Sequence, residues 1–237
     1  MIIIPDIHGH SFWKNAVAKR VEDEIVIFLG DYLDPHDSKK TKITYETAFE
    51  NFLDIVEYKR AHNTTCILLL GNHELSYLFL QIPASPHDLK HHFRNRRFIK
   101  DNISLFQLAY YTKLSDNEYL FTHAGVHPKW IKQNFKNVKT PFEFYSHILQ
   151  TPLNKLKRKL NKITSERRLF RKWGSCVWLY LDDWIIEQPQ LAFGNCFQIF
   201  GHTCLKEAKP IITKHFAALD TRRAYRLNEE TGGISIL

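Results

Sequence analysis

Residues 66–75 read CILLLGNHEL: an unbroken apolar run from Cys66 to Leu70 stops at Gly71 and delivers Asn72, His73 and Glu74 in succession. A strand with one face in water alternates apolar and polar side chains, whereas a strand covered on both faces reads as one continuous apolar run. The stretch therefore predicts a short buried strand with a polar triplet just past its carboxyl end. In open α/β sheets, ligands bind in the crevice outside those ends. Fold and site are thus to be sought wherever else a strand stops in the same way.

The pattern recurs four times. Met1–Ile4 lead into Asp6 and His8, Ile25–Leu29 lead through Gly30 to Asp31 and Asp34, Tyr119–Phe121 lead to His123, and Phe197–Phe200 lead through Gly201 to His202. Three of the five junctions place a glycine between strand and polar group, which suits a sharp turn or a close approach of backbone. Any one of these polar residues is an ordinary turn or cap. Together, Asp6, His8, Asp31, Asn72, His123 and His202 are oxygen and imidazole donors without thiolate, the set that suits a catalytic centre for Mn, Fe, Zn or a similar divalent ion. Between the junctions, Thr44 to Lys59 carries Ala48, Phe52, Ile55 and Val56 on one helical face and predicts a crossover between the strands ending at Asp31 and Asn72. Strand–helix–strand repeats with buried strands argue an α/β class.

Asp6-Ile7-His8-Gly9, Gly30-Asp31-Tyr32-Leu33-Asp34, Gly71-Asn72-His73-Glu74, Thr122-His123-Ala124-Gly125 and Gly201-His202-Thr203, in that order, resemble the signature of the calcineurin-like metallophosphoesterases. The style of the motifs is closest to the phosphoprotein phosphatase and bis(5'-nucleosyl)-tetraphosphatase branch. The resemblance implies a four-layer αββα sandwich, two β-sheets flanked by helices, with a dinuclear metal site at the strand ends. It implies one ion on Asp6, His8 and Asp31 and a second on Asp31, Asn72, His123 and His202, with Mn expected and Fe, Zn, Ni or Co as alternatives. Two divalent ions bring four positive charges and Asp6 and Asp31 return two, so the surplus suits a phosphate and a hydroxide. On this resemblance a metal-bridging hydroxide attacks phosphorus directly. His73, steadied by Asp34, serves as the acid at the leaving-group oxygen, since a carboxylate holds an imidazole in one tautomer and favours its protonated form. Glu74 reads as a cap for the helix that Leu75–Leu80 suggest.

The chain also departs from that pattern. The family motif GDxxDRG carries a phosphate-gripping arginine, but here the sequence reads Asp34-Pro35-His36-Asp37, and VWLYLDDW (177–184) brings no clear counterpart of a second one. Without bidentate arginines, a diester, a diphosphate bridge or a grip by other basic residues gains ground over a simple monoester. Arg94 and Arg97, in HDLKHHFRNRRFIK (87–100), are candidates, as is Arg222 in HFAALDTRR (215–223), a stretch that resembles the family's final strand with arginines in place of small turn residues. His10, His36 and His127 stand beside motifs and are further candidates for substrate contact.

From Lys155 to Lys172 the chain carries nine Lys or Arg against Glu166 alone, which matches the net charge of +8 of the whole protein. Leu153, Leu156, Leu160 and Ile163 recur at spacings of three and four and predict an amphipathic helix. It reads either as a solvated face or as a collector for nucleic acid or nucleotide. At 237 residues and 44% hydrophobic, the chain suffices for one domain, 1–237, with the basic insertions near 87–109 and 153–173 as a cap. The opening apolar run is too short for a signal peptide or membrane span, so no membrane partner and a cytoplasmic location are expected. Cys66 reads as an inert buried thiol, and Cys176, Cys196 and Cys204 lack CxxC spacing. Three functions stay open: a phosphatase acting on a phosphoprotein, nucleotide or dinucleoside polyphosphate; a phosphodiesterase or nuclease gripping its substrate with the basic helix; and a binding protein that retained metals but little turnover. Oligomeric state is not legible.

Overall fold

The computed structural model describes residues 1–36, 38–80, 82–160, 174–181, 192–205 and 209–237. Their strands, in chain order, are β1 (Ile2–Ile4), β2 (Val26–Phe28), β3 (Cys66–Leu69), β4 (Phe106–Gln107), β5 (Ala109–Leu114), β6 (Asn117–Thr122), β7 (Phe197–Phe200), β8 (Ile211–Ile212), β9 (Phe216–Ala218), β10 (Tyr225–Leu227) and β11 (Ile234–Ile236). They form two mixed sheets, one in each of two compact units: Met1–Gln107 with Arg222–Leu237, and Leu108–Thr221. The expected α/β class with two helix-flanked sheets is the one observed.

In the first unit the sheet runs β11-β10-β1-β2-β3-β4. Strands β1 to β4 are parallel, with Ile3 opposite Ile27 and Ile27 opposite Ile67, while β10 and β11 add on antiparallel beyond β1. Side chains of β1 and β2 are wholly buried on both faces, which is why they read as unbroken apolar runs. Helices α1 (Phe12–Val17), α2 (Ser38–Thr41), α3 (Tyr45–Ala61), α4 (Asn72–Leu78) and α5 (His92–Asp101) belong to this unit. Helix α3 starts where its sequence says it should: the Thr44 hydroxyl accepts from Thr47 N–H at 3.1 Å, a hydrogen bond that satisfies one of the first turn's free donors. Its buried face is Ala48, Phe52, Ile55 and Val56, as the spacing predicts. At the other end, buried Lys59 donates to the carbonyls of Asn63 and Cys66, both at 2.7 Å, tying the end of α3 to the first residue of β3.

The second unit holds a sheet ordered β5-β6-β7-β9-β8. Strands β5 and β6 form a hairpin, β6, β7 and β9 run parallel, and β8 returns antiparallel to β9. Helices α6 (Pro128–Asn134) and α7 (Pro141–Gln150) contribute Trp130 and Phe144 to a buried aromatic cluster with Phe135, and α8 (Leu153–Leu156) buries Leu156. Trp130 and Phe144 meet Phe135 edge-on at 5.1 and 5.5 Å, the arrangement aromatic quadrupoles favour. The long amphipathic helix expected over Leu153–Ile163 is realised, among the described residues, as α8 followed by turns to a buried Leu160. Residues 161–173, which carry most of the basic run, and 182–191 lie outside the described residues. Of the described basic residues, Lys159 donates to the Asn134 carbonyl at 2.7 Å and lies 4.1 Å over the Phe135 ring.

Candidate metal centre

In the first unit, the loops after β1 and β2 are stitched together by backbone. Ile7 and His8 N–H both donate to the Asp31 carbonyl at 3.0 and 2.8 Å, and Gly9 N–H donates to that of Tyr32 at 3.1 Å. His8, Asp31 and Asp34 all occupy left-handed backbone, with φ of +43°, +52° and +59°. That conformation costs a non-glycine residue roughly 1–2 kcal/mol, and such strain persists where surrounding structure enforces it, commonly at functional positions.

The His8 ring shows what the cluster is suited to hold. Its Nδ1 lies 3.0 Å from the carbonyl oxygens of both Leu33 and Asp34. Both partners are acceptors, so Nδ1 carries the hydrogen. Burial, with the neighbouring His73, holds the His8 pKa well below its ordinary value, so the ring is neutral and Nε2 presents a lone pair. That lone pair stands 3.6 Å from Asp31 Oδ2 and 4.0 Å from Asp6 Oδ2. Three buried electron-rich atoms within 4.8 Å of one another repel unless a cation lies among them. The donor set fits a divalent ion.

Asp31 is held in place from two directions. Its Oδ1 accepts the His73 backbone N–H at 3.0 Å, and its own N–H donates to Glu74 Oε2 at 3.0 Å. Glu74, fully buried, also accepts from Gly71 N–H at 3.0 Å and Tyr32 N–H at 2.8 Å. It caps α4, as read from the sequence, and in addition ties the end of β2 to the end of β3. Gly71 is needed for closeness: a Cβ there would lie 2.0 Å from Asp31 Oδ1. Asn72 opens α4 and is buried beside these groups in sequence.

His73 Nδ1–H donates to Asp34 Oδ2 at 2.8 Å. Burial works against its charged form, but Asp31 and the hydrogen-bonded Asp34 outweigh it and raise its pKa above the ordinary value. His36 joins this group, its ring 4.3 Å from His8 and 5.8 Å from His73, with ligand nitrogens of all three within 4.8 Å of one another. Burial and then His73 lower the His36 pKa, with Arg222 adding to the effect; burial and Arg222 likewise lower that of His10. Arg222, itself in left-handed backbone at φ +58°, is therefore within electrostatic reach of both histidines. Arg94 is engaged elsewhere: it grips both oxygens of Glu46 at 2.7 Å and covers the Phe49 ring at 3.9 Å. Arg97 is 86% exposed and 3.7 Å from Asp101.

In the second unit, the ends of β6 and β7 bring His123 and His202 together, with Nε2 of the first 3.1 Å from Nδ1 of the second. His202 is again left-handed, at φ +67°, and Gly201 N–H reaches back to the His123 carbonyl at 2.8 Å. Trp178 meets the His202 ring edge-on at 5.1 Å. His127 caps α6, its Nδ1 accepting from Lys129 N–H at 3.1 Å. Buried Gln198, inside β7, accepts from Val126 N–H at 2.8 Å and donates to the Val126 carbonyl at 3.0 Å, fixing the loop that follows His123. Sequence reading passed over Gln198; the one cue was a polar residue inside an otherwise apolar strand. It also passed over Tyr77, although an i, i+4 spacing places Tyr77 on the same face of α4 as His73.

A family model described as calcineurin-like phosphoesterase matches residues 1–205. No curated protein matches the sequence. Among solved structures, a cold-active protein-tyrosine phosphatase of a psychrophilic Shewanella species is similar over 100% of this chain and 79% of its own, at 13% identity and a TM-score of 0.53. A protein serine/threonine phosphatase from Saccharomyces cerevisiae is similar over 92% of this chain and 65% of its own, at 15% identity and a TM-score of 0.51. At such identities the likeness carries the fold and leaves the substrate open.

Proposed function

The chain belongs to the calcineurin-like phosphoesterases, and on that premise we propose that this metal-dependent phosphoesterase hydrolyses phosphate monoesters by direct attack of water. We assign Asp6, His8, Asp31, Asn72, His123 and His202 as ligands of two divalent ions, Mn first among them, with Asp31 shared. When bound, the ions supply the positive charge that activates water and steadies the phosphoryl oxygens. Asp34 keeps His73 in the tautomer with hydrogen on Nδ1, which leaves Nε2 as the nitrogen that carries a proton to the leaving oxygen. His36 and Arg222 are the groups proposed to face the phosphate in place of the missing motif arginine. A cavity of about 490 Å³, lined by His36, Lys39, Tyr45 and Pro86 among others, gives a leaving group room beside that histidine.

One observation supports this reading above the rest: His8 Nε2 stands 3.6 and 4.0 Å from two buried carboxylates, within one ring contact of an Asp-held imidazole. The proline at position 35 favours a second reading, in which the substrate is a diester or a dinucleoside polyphosphate rather than a phosphoprotein. Manganese-loaded protein assayed on monoesters, diesters, dinucleoside polyphosphates, phosphopeptides and RNA separates the two. Asp31→Asn is expected to lose metal and all activity, and His73→Ala to keep metal but react slowly, most severely with poor leaving groups. Inversion at phosphorus, with solvent oxygen-18 entering phosphate, accompanies direct attack. Retention, or a metal-free Asp31→Asn that still turns over, would overturn it.

A further inference from the structure

The two carboxylate oxygens of Asp34 face different partners. Oδ2 takes the His73 Nδ1–H at 2.8 Å, while Oδ1 takes the Tyr77 hydroxyl at 2.5 Å and the Asp88 N–H at 3.0 Å. Asp88 N–H also lies 3.1 Å from the Tyr77 oxygen, closing a small ring of hydrogen bonds. His73 and Tyr77 sit one turn apart on α4, so a single helix brings both groups to bear on one carboxylate.

Each group in this arrangement is held by buried partners. Asp34, His73, Tyr77 and Asp88 are all buried. The Tyr77 ring is stacked at 4.1 Å on His87, which is itself held by Ser76 Oγ and by His92, each at 3.0 Å. The Asp88 carboxylate is turned to the N–H and Nδ1 of His91, at 3.0 and 2.8 Å. Burial and the Asp34 charge push the Tyr77 phenol far above its ordinary pKa, so it stays a donor throughout the neutral range. An unbound Asp34 oxygen would let the carboxylate rotate about its last bond and carry the imidazole with it. Two donors on Oδ1 forbid that rotation.

We propose that Tyr77, with the Asp88 N–H, is a positioning residue for the leaving-group acid: it locks one oxygen of Asp34 so that the other holds His73 in a single tautomer and orientation. The inference rests on the reading of His73 given above. In that step the phosphorus–oxygen bond to the leaving group breaks and its electron pair goes to the leaving oxygen. That oxygen takes the proton from His73 Nε2, and the imidazole is left neutral with its Nδ1–H still on Asp34. The water oxygen forms the new bond to phosphorus and its proton passes to solvent.

Tyr77→Phe keeps the ring and its stacking and removes only the hydroxyl. Bound metal per chain and KM are expected to stay as in the parent. The kcat for an alkyl phosphate should fall roughly ten-fold, the scale of one lost hydrogen bond to a charged group, and the kcat for nitrophenyl phosphate, whose leaving group needs little acid, by less than about three-fold. Combined with His73→Ala, the substitution should cost nothing beyond His73→Ala alone, because both act through one proton donor. Additive losses, or equal losses with both leaving groups, overturn the latch. A His73→Ala variant indifferent to leaving group removes the acid and the latch together, whereas a leaving-group-sensitive His73→Ala beside an unaffected Tyr77→Phe removes the latch alone. Should Tyr77→Phe not fold, the parent carries its own test: a downfield proton resonance assigned to the Tyr77 hydroxyl is expected, vanishing in Asp34→Asn, and its absence in the parent overturns the proposal.

Discussion

Replacing Gly71 with alanine probes a close approach between the end of β3 and Asp31. The new Cβ would stand 2.0 Å from Asp31 Oδ1, 2.6 Å from Asp31 N and 2.8 Å from its Cγ. Ordinary van der Waals contact begins near 3.4 Å, so the groups must part by about 1.4 Å, the difference between 3.4 and 2.0 Å. Asp31 has little freedom to yield, because its N–H is on Glu74 and its Oδ1 on the His73 N–H. Opening the gap breaks at least one of these charge-assisted bonds, at roughly 1.5–3 kcal/mol, and adds an overpacking cost of about 1–3 kcal/mol. The sum, roughly 2.5–6 kcal/mol, is a large part of the ~5–15 kcal/mol that holds a typical domain folded. Denaturant unfolding of the metal-stripped protein measures that loss, and elemental analysis after manganese loading measures the second effect: a ligand displaced by about 1 Å lies far outside the ~0.2 Å tolerance of metal–ligand distances. Gly194→Ala is the control, since φ there is +56° but no heavy atom lies within 4 Å, so it should cost about 1 kcal/mol and leave metal content alone. A Gly71→Ala protein that loses under about 1 kcal/mol and still loads manganese like the parent would refute the reasoning.

Three further outcomes are expected. Gln198→Leu leaves both polar groups of Val126 buried without their partner, costing about 2–3 kcal/mol; differential scanning calorimetry should show melting about 5–10 °C lower for a chain of this size, and an unchanged transition would count against the bridge. For Glu24, burial raises the carboxyl pKa, but the Arg226 hydrogen bonds and the Val21 N–H outweigh it and leave it below the ordinary value; a depressed carboxylate stabilises the fold above its unfolded pKa and ceases to as pH falls through the folded one. The stability gap between parent and Glu24→Gln should therefore be about 1 kcal/mol at neutral pH, Arg226 being partly exposed, and should close as pH falls below the ordinary glutamate range; a gap independent of pH would exclude the ion pair as its source. Chelation should abolish turnover, with Mn, or one of Fe, Zn, Ni and Co, restoring it, and hydrolysis by verified metal-free protein would sink the ion-dependent chemistry.

Much of the scaffold was legible because its signals are local. Buried parallel strands must be apolar on both sides, so β1, β2 and β3 are visible as runs within a few residues of their true ends. Helix α3 announces itself through a capping threonine and a regular apolar face. Strand β10 was less visible: Tyr225-Arg226-Leu227 is three residues long with Arg226 in its middle, and it is a strand because β1 pairs with it, Ile3 opposite Tyr225. The same holds for β11, whose side chains are largely outside the core.

By itself, then, the sequence determined the α/β class, the places where strands stop, and which polar residues stand at those stops, since each follows from hydrophobic patterning over ten residues or fewer. Tertiary structure alone decided what those residues do to one another. That Glu74 clamps Asp31 and Tyr32, that His8 turns its lone pair toward two carboxylates, and that Tyr77 and the Asp88 N–H share one oxygen of Asp34 are hydrogen-bond choices between positions up to 54 residues apart. A side chain's type shows that it must find a partner when buried, and only the closed fold determines which partner lies within 3 Å.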